Sequence, residues 1–164
     1  MHAERLDEAD TDLIKVWVKF VPREGWLPYD TEGLWAEPIE GDTARICSVP
    51  FLADGIAIGD VLRYTFDETG RRWATGRVEG SGNCTVRVLP VPTGPLGANA
   101  EAVHGQFEQW NLGGEEFSKE LPLVALNIPA DADMPAIKAL LNRGVEDGWW
   151  YYETGCATDT WRAA

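Results

Sequence analysis

Apolar and polar residues alternate with a period of two between Ile14 and Phe20, as is typical of a half-buried β-strand. On the polar side of this segment, Trp17 lies between Lys15 and Lys19. Such a tryptophan can serve as a ligand platform, or it can pack beneath a neighbouring loop. The pattern therefore predicts a strand that presents Trp17 on its outward side.

The stretch from 34 to 88 contains several short apolar runs separated by Gly, Pro and Asp, which predicts a compact, strongly bent β unit. Turns are expected at 40–42 and 67–70, where Gly follows acidic or polar residues. The small residues at 80–83 predict a tight hairpin, with an anion-binding nest of backbone N–H groups as the alternative. A strand from 84 to 89 should complete the unit.

The second half of the chain changes to a mixed pattern after a proline-rich segment at 91–97. Helical spacing predicts a helix over 98–112 and a second one bearing Ile137 on its apolar face, which Asp131 or Asp133 can cap. The run LPLVALNI at 121–128 has the length of a strand, and the run WWYYE at 149–153 predicts an aromatic strand.

These elements predict an α+β protein, with a small twisted N-terminal β-barrel or half-barrel packed with a C-terminal ferredoxin-like β-α-β-α-β layer. The first strand of that layer is taken as 85–89. The expected organisation is a disordered acidic tail at 1–11, a β-rich subdomain at 12–90, a Pro-rich linker at 91–97, an α/β subdomain at 98–153 and a polar tail at 154–164.

The chain has 27 acidic and 14 basic residues, a formal net charge of -13. An acidic chain is repelled by phosphate backbones and anionic lipids, so no nucleic acid and no membrane partner is expected, and a basic partner is favoured. No apolar run reaches the roughly 20 residues of a membrane helix. The first residues are polar and acidic where a secretory signal would be basic and then apolar, which predicts a cytoplasmic protein.

The cysteines, Cys47, Cys84 and Cys156, are odd in number and widely spaced, so they indicate neither a disulfide framework nor a metal knuckle. His2 and His104 are the only histidines. We therefore expect no metal site. The glycines follow neither the dinucleotide nor the phosphate-loop pattern, so no cofactor is expected. A catalytic role for His104 and a structural one both remain open.

Three segments together resemble a known family: LWAEP, SVPFLADGIAIGDVL and EGSGNCTVRV. They are similar to a bacterial family of uncharacterised proteins, the domain of unknown function DUF4265. The resemblance is clearest over 34–88 and weaker over 123–152, and it implies fold rather than chemistry. In the sequence pattern of that family, an aromatic residue occupies the place of Ala53 and Asp54 in this chain, and a histidine occupies the place of Asn83. If that histidine is catalytic in relatives, this chain lacks the activity, which favours binding.

The leading hypothesis is a non-enzymatic binding or accessory protein that engages a peptide or protein partner, with a basic partner favoured by the acidic surface. Eight tryptophans in 164 residues support it, because Trp and Tyr are enriched at interface hot spots. A more specific form is an immunity or antitoxin-type inhibitor of a basic toxin. The candidate binding anchors are Trp17, Trp26, Tyr29, Trp73, Trp149 and Tyr151.

Two alternatives remain. The first is a small-molecule enzyme with a pocket between the two layers, and Cys47 or Cys84 could supply its nucleophile. No residue is assigned a catalytic role. The second alternative is a subunit of a homo-oligomer that pairs through the aromatic strand at 149–152. The candidate pocket residues are Glu37, Asp54, Asp60 and Asn83.

Overall fold

A computed structural model describes residues 12–22 and 28–164, which form two compact units. Of the described residues, unit 1 contains those up to Ser48 and Ile58–Ser81, and unit 2 contains Val49–Ala57 and Gly82–Ala164. The predictions made for residues 1–11 and for Trp26 lie outside the described residues. No helix in the described part of the chain is long and apolar enough to cross a membrane.

Unit 1 is a five-stranded β-barrel. Consecutive strands pair antiparallel, and a parallel pairing between the first and last strands closes the barrel. The α+β class and the N-terminal barrel are thereby confirmed. The strands are β1 (Ile14–Lys19), β2 (Thr31–Ile39), β3 (Thr43–Ile46), β4 (Val61–Phe66) and β5 (Arg72–Glu79).

The barrel interior follows from the period-two pattern of its strands. Val16 of β1, Leu34 and Ala36 of β2 and Ile46 of β3 are all buried to 1% exposure or less. Since successive side chains point to opposite faces, the residues between them point outward. Trp17 is therefore on the outer face of the barrel, as the alternation predicts.

Unit 2 is built on a four-stranded antiparallel sheet of order β7-β8-β6-β9. A short 3-10 helix, Glu108–Trp110, follows its first α-helix. The elements in chain order are β6 (Cys84–Pro90), α1 (Ala100–Gln106), β7 (Gly113–Glu116), β8 (Val124–Ile128), α2 (Met134–Glu146), β9 (Trp150–Cys156) and α3 (Asp159–Ala163).

The apolar core of unit 2 lies between this sheet and the helices. Its largest member is Trp150, which is fully buried, stacks on Phe107 at a centroid distance of 5.5 Å and donates from Nε1 to the Leu141 carbonyl at 3.0 Å. Asp133 caps α2 by accepting a hydrogen bond from Ala136 N, as predicted.

The structure differs from the predicted elements in three places. β7 was not expected, because its sequence GGEE lacks the apolar and β-branched residues of a strand and relies on pairing with β8. The segment 154–164 is not a tail, since it holds the end of β9 and helix α3, where Trp161 is buried. The predicted hairpin at 80–83 is wrong, because the strands on either side of it do not pair with each other. β5 pairs with β1 and β4, whereas β6 pairs with β8 and β9.

Candidate functional site

The outer face of the barrel carries alternating indole rings and cations, which we call the tryptophan ladder. Lys15 Nζ lies 4.7 Å from the ring centroid of Trp35 and 5.5 Å from that of Trp17. The guanidinium carbon of Arg71 lies 4.2 Å from the Trp17 ring and 5.8 Å from the Trp73 ring. Each cation is thus shared between two rings, in the order Trp35, Lys15, Trp17, Arg71 and Trp73.

Strand register produces this order. Lys15 of β1 lies opposite Trp35 of β2, and Trp17 lies opposite Gly33 on one side and Trp73 of β5 on the other. Paired residues in neighbouring strands project from the same face of a sheet, so the three indoles share the outer surface. Three strands distant in sequence therefore contribute to one surface.

Gly33 gives the ladder room to lie flat on the barrel. A methyl group at position 33 would lie 2.7 Å from Lys15 Cε and 3.1 Å from the Trp17 ring, closer than van der Waals contact allows. The glycine therefore lets the Lys15 stem and the Trp17 indole lie across β2. A cation over an aromatic face contributes about 0.5–1 kcal/mol at an exposed site, so the stack is ordered by several weak contacts.

Asp67 anchors the far end of the ladder. Its Oδ1 accepts hydrogen bonds from the backbone N–H of Thr69 at 2.8 Å and of Arg71 at 2.9 Å, and from the Thr69 hydroxyl. Its Oδ2 accepts from Trp73 Nε1 at 2.9 Å. One carboxylate therefore shapes the β4–β5 turn and fixes the orientation of the Trp73 indole.

The pKa of Asp67 is lowered well below its ordinary value of 3.8, first because of the hydrogen bonds from Thr69 and Trp73. A carboxyl group whose folded pKa is depressed contributes stability that is present above the unfolded pKa and is lost as the pH falls through the folded one. We expect the Asp67 carboxyl carbon, followed by NMR, to titrate below pH 3.8 and the Trp73 indole N–H resonance to change with it. An ordinary titration at 3.8 would contradict these hydrogen bonds.

The ladder is accessible from solvent. Trp35 retains 47% of its surface, while Trp17 and Trp73 are half-buried. Within residues 12–22 and 28–164, neither Lys15 nor Arg71 forms an ion pair with a carboxylate. A guanidinium stacked on a ring keeps its N–H donors in its own plane, where they can reach a further group. The surface therefore combines flat apolar area with hydrogen-bond donors.

The predicted anchors are only partly brought together. Trp17 and Trp73 are adjacent in the ladder, and Tyr29, at 48% exposure, also belongs to unit 1. Tyr151 is 66% exposed on β9 of unit 2, outside the ladder. Trp149 packs edge-on against Trp150 at the border of the unit 2 core, so it is a packing residue.

Two of the predicted pocket residues belong to unit 1. Asp60 is buried to 1% exposure, and its carboxylate accepts a hydrogen bond from Ser81 N at 2.8 Å and pairs with Arg77 at 3.3 Å. Glu37 is exposed on β2, opposite Arg45. Cys47 is exposed, and partial desolvation of its thiol together with the charge of Glu37 raises its pKa above the ordinary 9.0, which disfavours the thiolate at neutral pH.

The other two predicted pocket residues, Asp54 and Asn83, belong to unit 2. Asn83 Oδ1 accepts a hydrogen bond from Ala130 N at 2.9 Å, and this bond gives it a structural role. Asp54 pairs with Arg87 at 2.9 Å. Asp54, Asp60 and Asn83 therefore each bind a neighbour in their own unit, whereas Glu37 is only opposite Arg45 in the strand register.

Arg87 is the most deeply buried charge of unit 2, at 1% exposure in the middle of β6. Its Nη1 lies 2.9 Å from both Asp54 Oδ1 and Glu153 Oε2. Its Nε donates to the Pro50 carbonyl at 3.3 Å, and its Nη2 donates to the Ala53 carbonyl. These bonds hold residues 49–57 on one face of the sheet, so the arginine is a structural clamp.

Two adjoining grooves of about 560 and 320 Å³ lie beside α1 in unit 2. Glu101 and His104 line both of them, with Glu116 and Lys119 in the larger and Glu108 in the smaller. The lining contains no serine or cysteine, so an acyl-transfer nucleophile of that kind is missing from both grooves. Among the described residues, no group of three or more His, Cys, Asp or Glu is placed to hold a metal ion.

The geometry defines a two-unit α+β protein with an exposed aromatic and cationic surface on its barrel. Its family model, described as "Domain of unknown function (DUF4265)", matches residues 32–152, so the chain belongs to this family. The predicted resemblance is confirmed. No curated protein matches the chain.

A solved structure shows a similar fold. It is described as a novel crystal structure of a hypothetical protein from Neisseria gonorrhoeae, and it aligns with a TM-score of 0.72 at 18% sequence identity. The alignment covers 87% of this chain and 93% of that chain. At this identity the likeness concerns the fold alone.

Sequence reasoning did not identify Trp35, Lys15, Arg71 and Asp67 as site residues. Trp35 could have been found, because it lies between Leu34 and Ala36, whose burial places it on the outer face. Arg71 and Asp67 flank a recognisable turn, and the bond between Asp67 and Trp73 is local to it, but the approach of Arg71 to Trp17 depends on the parallel pairing of β1 and β5. That pairing leaves no signal in the sequence.

Proposed function

We propose that this protein is a non-enzymatic binding module that engages a peptide or protein partner through the tryptophan ladder of unit 1. The observation that carries the proposal is the exposed stack of three indoles and two cations on one face of the barrel. Tryptophan and arginine are the residue types most enriched among interface hot spots.

The rigidity of the ladder supports this role. A binding surface that is ordered before binding avoids the entropy cost of immobilising its side chains, about 0.5–1.5 kcal/mol for each flexible one. Here Gly33 provides the flat support for Trp17, and Asp67 fixes the Trp73 indole. The contacting groups are therefore held in place by their own neighbours.

Peptide selection tests the proposal. Random 12-residue peptides on phage are selected on the immobilised protein, and enriched peptides are synthesised and titrated by tryptophan fluorescence. We expect Trp35→Ala to weaken their binding roughly 30-fold, the effect of losing a hot-spot contact of about 2 kcal/mol. Tyr151→Ala is the matched control, because Tyr151 is an aromatic residue outside the ladder and is 66% exposed, against 47% for Trp35.

Two results would contradict the proposal. One is a selection that enriches no peptide above background. The other is enriched peptides that bind Trp35→Ala as tightly as the unchanged protein but lose affinity for Tyr151→Ala.

For unit 2 we retain the ferredoxin-like classification as a proposal. Its support is the element order strand-helix-strand-strand-helix-strand from β6 to β9, together with the antiparallel sheet order β7-β8-β6-β9. The sequence pattern alone had offered one strand fewer, because β7 was missing from it.

A further inference from the structure

We infer that the partner segment recognised by the tryptophan ladder is acidic, with Asp or Glu side chains next to aromatic residues or proline. This inference rests on the proposed function and specifies the chemistry of the partner. It reverses the expectation of a basic partner, which followed from the net charge of the whole chain.

The charge on the outer face of the barrel differs in sign from that of the chain. Strand alternation and register place Lys15, Lys19 and Arg63 on this face, and Arg71 completes the set beside β5. The same register also places Arg45 there, together with two acidic residues, Glu37 opposite Arg45 and Glu79 opposite Val61. The chain has a formal net charge of -13, whereas the cations on this face outnumber the acidic residues that the strand register places there.

Asp67, which fixes the Trp73 indole, forms no ion pair with these cations among the described residues. Asp67 accepts four hydrogen bonds, three from its own turn and one from Trp73 Nε1, so both of its oxygens are engaged. Lys15 and Arg71, in turn, have no carboxylate partner among the described residues and contact only ring faces. An incoming carboxylate can therefore accept a charge-assisted hydrogen bond from Lys15 or Arg71, which no described carboxylate of the barrel accepts.

The alternation of rings and cations specifies the second part of the partner chemistry. Along the ladder, apolar ring faces alternate with cationic N–H donors. A peptide segment in which flat apolar groups alternate with carboxylates matches this order. Aromatic side chains and proline provide such groups at low entropy cost.

Single-stranded nucleic acid also combines anionic and planar groups, and cations with aromatic platforms are the usual means of binding it. The net charge argues against it here. A nucleic acid carries a negative charge on every nucleotide, and a chain at -13 repels such a polyanion over a distance of about 8–10 Å, the Debye length near physiological salt. A short peptide with two or three carboxylates experiences much less of this repulsion.

The test uses the same peptide library and compares two selections. The unchanged protein should enrich peptides in which Asp and Glu outnumber Lys and Arg and lie beside Trp, Tyr, Phe or Pro. The double variant Lys15→Glu with Arg71→Glu should invert this preference, and acidic peptides should lose at least 10-fold in affinity for it. Lys119→Glu with Arg162→Glu reverses one exposed lysine and one exposed arginine of unit 2, outside the ladder, so it is the charge-matched control and should leave the selection unchanged.

Each outcome has a distinct meaning. Enrichment of neutral or basic peptides that still depend on Trp35 overturns the acidic specificity and leaves the proposed function in place. A selection without any enrichment overturns both. A fifteen-residue oligo-dT that binds more tightly than the best acidic peptide would assign the ladder to nucleic acid, and ladder-dependent dimerisation in sedimentation velocity would assign it to a second copy of the chain. Far-UV circular dichroism confirms that the double variant is folded before either selection is read.

Discussion

Replacing Arg87 by methionine should lower the free energy of unfolding by about 2–6 kcal/mol, because two carbonyl groups lose the buried hydrogen bonds that Arg87 donates. Methionine fills much of the same volume, so the loss arises from polar groups rather than from a cavity. The two carbonyl groups are those of Pro50 and Ala53, and the loss of a buried donor costs about 1–3 kcal/mol for each group.

The two carboxylate partners contribute less to this loss. Asp54 is 65% exposed, and its pairing with Arg87 is screened by solvent, while Glu153 is exposed to 32%. An exposed ion pair contributes only about 0–1 kcal/mol. The expected destabilisation therefore depends mainly on the carbonyl bonds that hold residues 49–57.

Urea denaturation followed by far-UV circular dichroism measures the effect. With a slope of about 2 kcal/mol per molar urea, the midpoint should fall by roughly 1–3 M. Arg162→Met is the matched control, because Arg162 is 64% exposed and pairs only with the fully exposed Asp159. Its midpoint should remain within about 0.5 M of the unchanged protein. Equal midpoints for Arg87→Met and Arg162→Met would show that Arg87 is not a clamp.

Arg87→Lys separates charge from geometry. Lysine keeps the positive charge but replaces the planar fork of donors by a single ammonium group, so it cannot reach two carbonyls and two carboxylates together. We expect it to recover only a minor part of the stability lost in Arg87→Met. Full recovery would indicate that charge alone holds the segment.

The position of Arg87 also shows why sequence patterns predicted the strands but not the contacts. The alternation in CTVRV predicted β6, and the strand is confirmed. A period-two pattern places Arg87 on the face opposite Val86 and Val88, which sequence reasoning reads as the solvent side. Its burial depends on residues 49–57, which cover this face of the sheet. They lie thirty or more positions earlier in the sequence than Arg87.

The candidate site, likewise, could be predicted only in part from sequence patterns. The outward position of Trp17 between two lysines could be predicted, because it depends on one strand only. The ladder requires the registers of β1 with β2 and with β5, and neither register can be derived from local composition. The net charge alone indicates an acidic surface and does not reveal the cations of the outer barrel face, because it averages over residues far from that face.

Replacing Gly144 by alanine should destabilise unit 2 by about 1–3 kcal/mol or more, although the same change in an open helix is stabilising. Gly144 lies inside α2, where alanine is intrinsically favoured over glycine by about 1 kcal/mol. A methyl group at this position, however, would lie 2.3–2.5 Å from the indole of Trp150. Since Trp150 is fully buried, stacked on Phe107 and bonded to the Leu141 carbonyl, its ring cannot move away without losing these contacts.

Gly105 of α1 is the matched control for Gly144. It is also a helical glycine, but no atom lies within 4 Å of the place where its methyl group would be. Gly105→Ala should therefore stabilise the protein by about 0.5–1 kcal/mol through the loss of backbone freedom in the unfolded chain. Thermal unfolding followed by circular dichroism should show a higher midpoint for Gly105→Ala and a lower one for Gly144→Ala. If the midpoint of Gly144→Ala rises as that of Gly105→Ala does, helix propensity rather than the contact with Trp150 decides the effect.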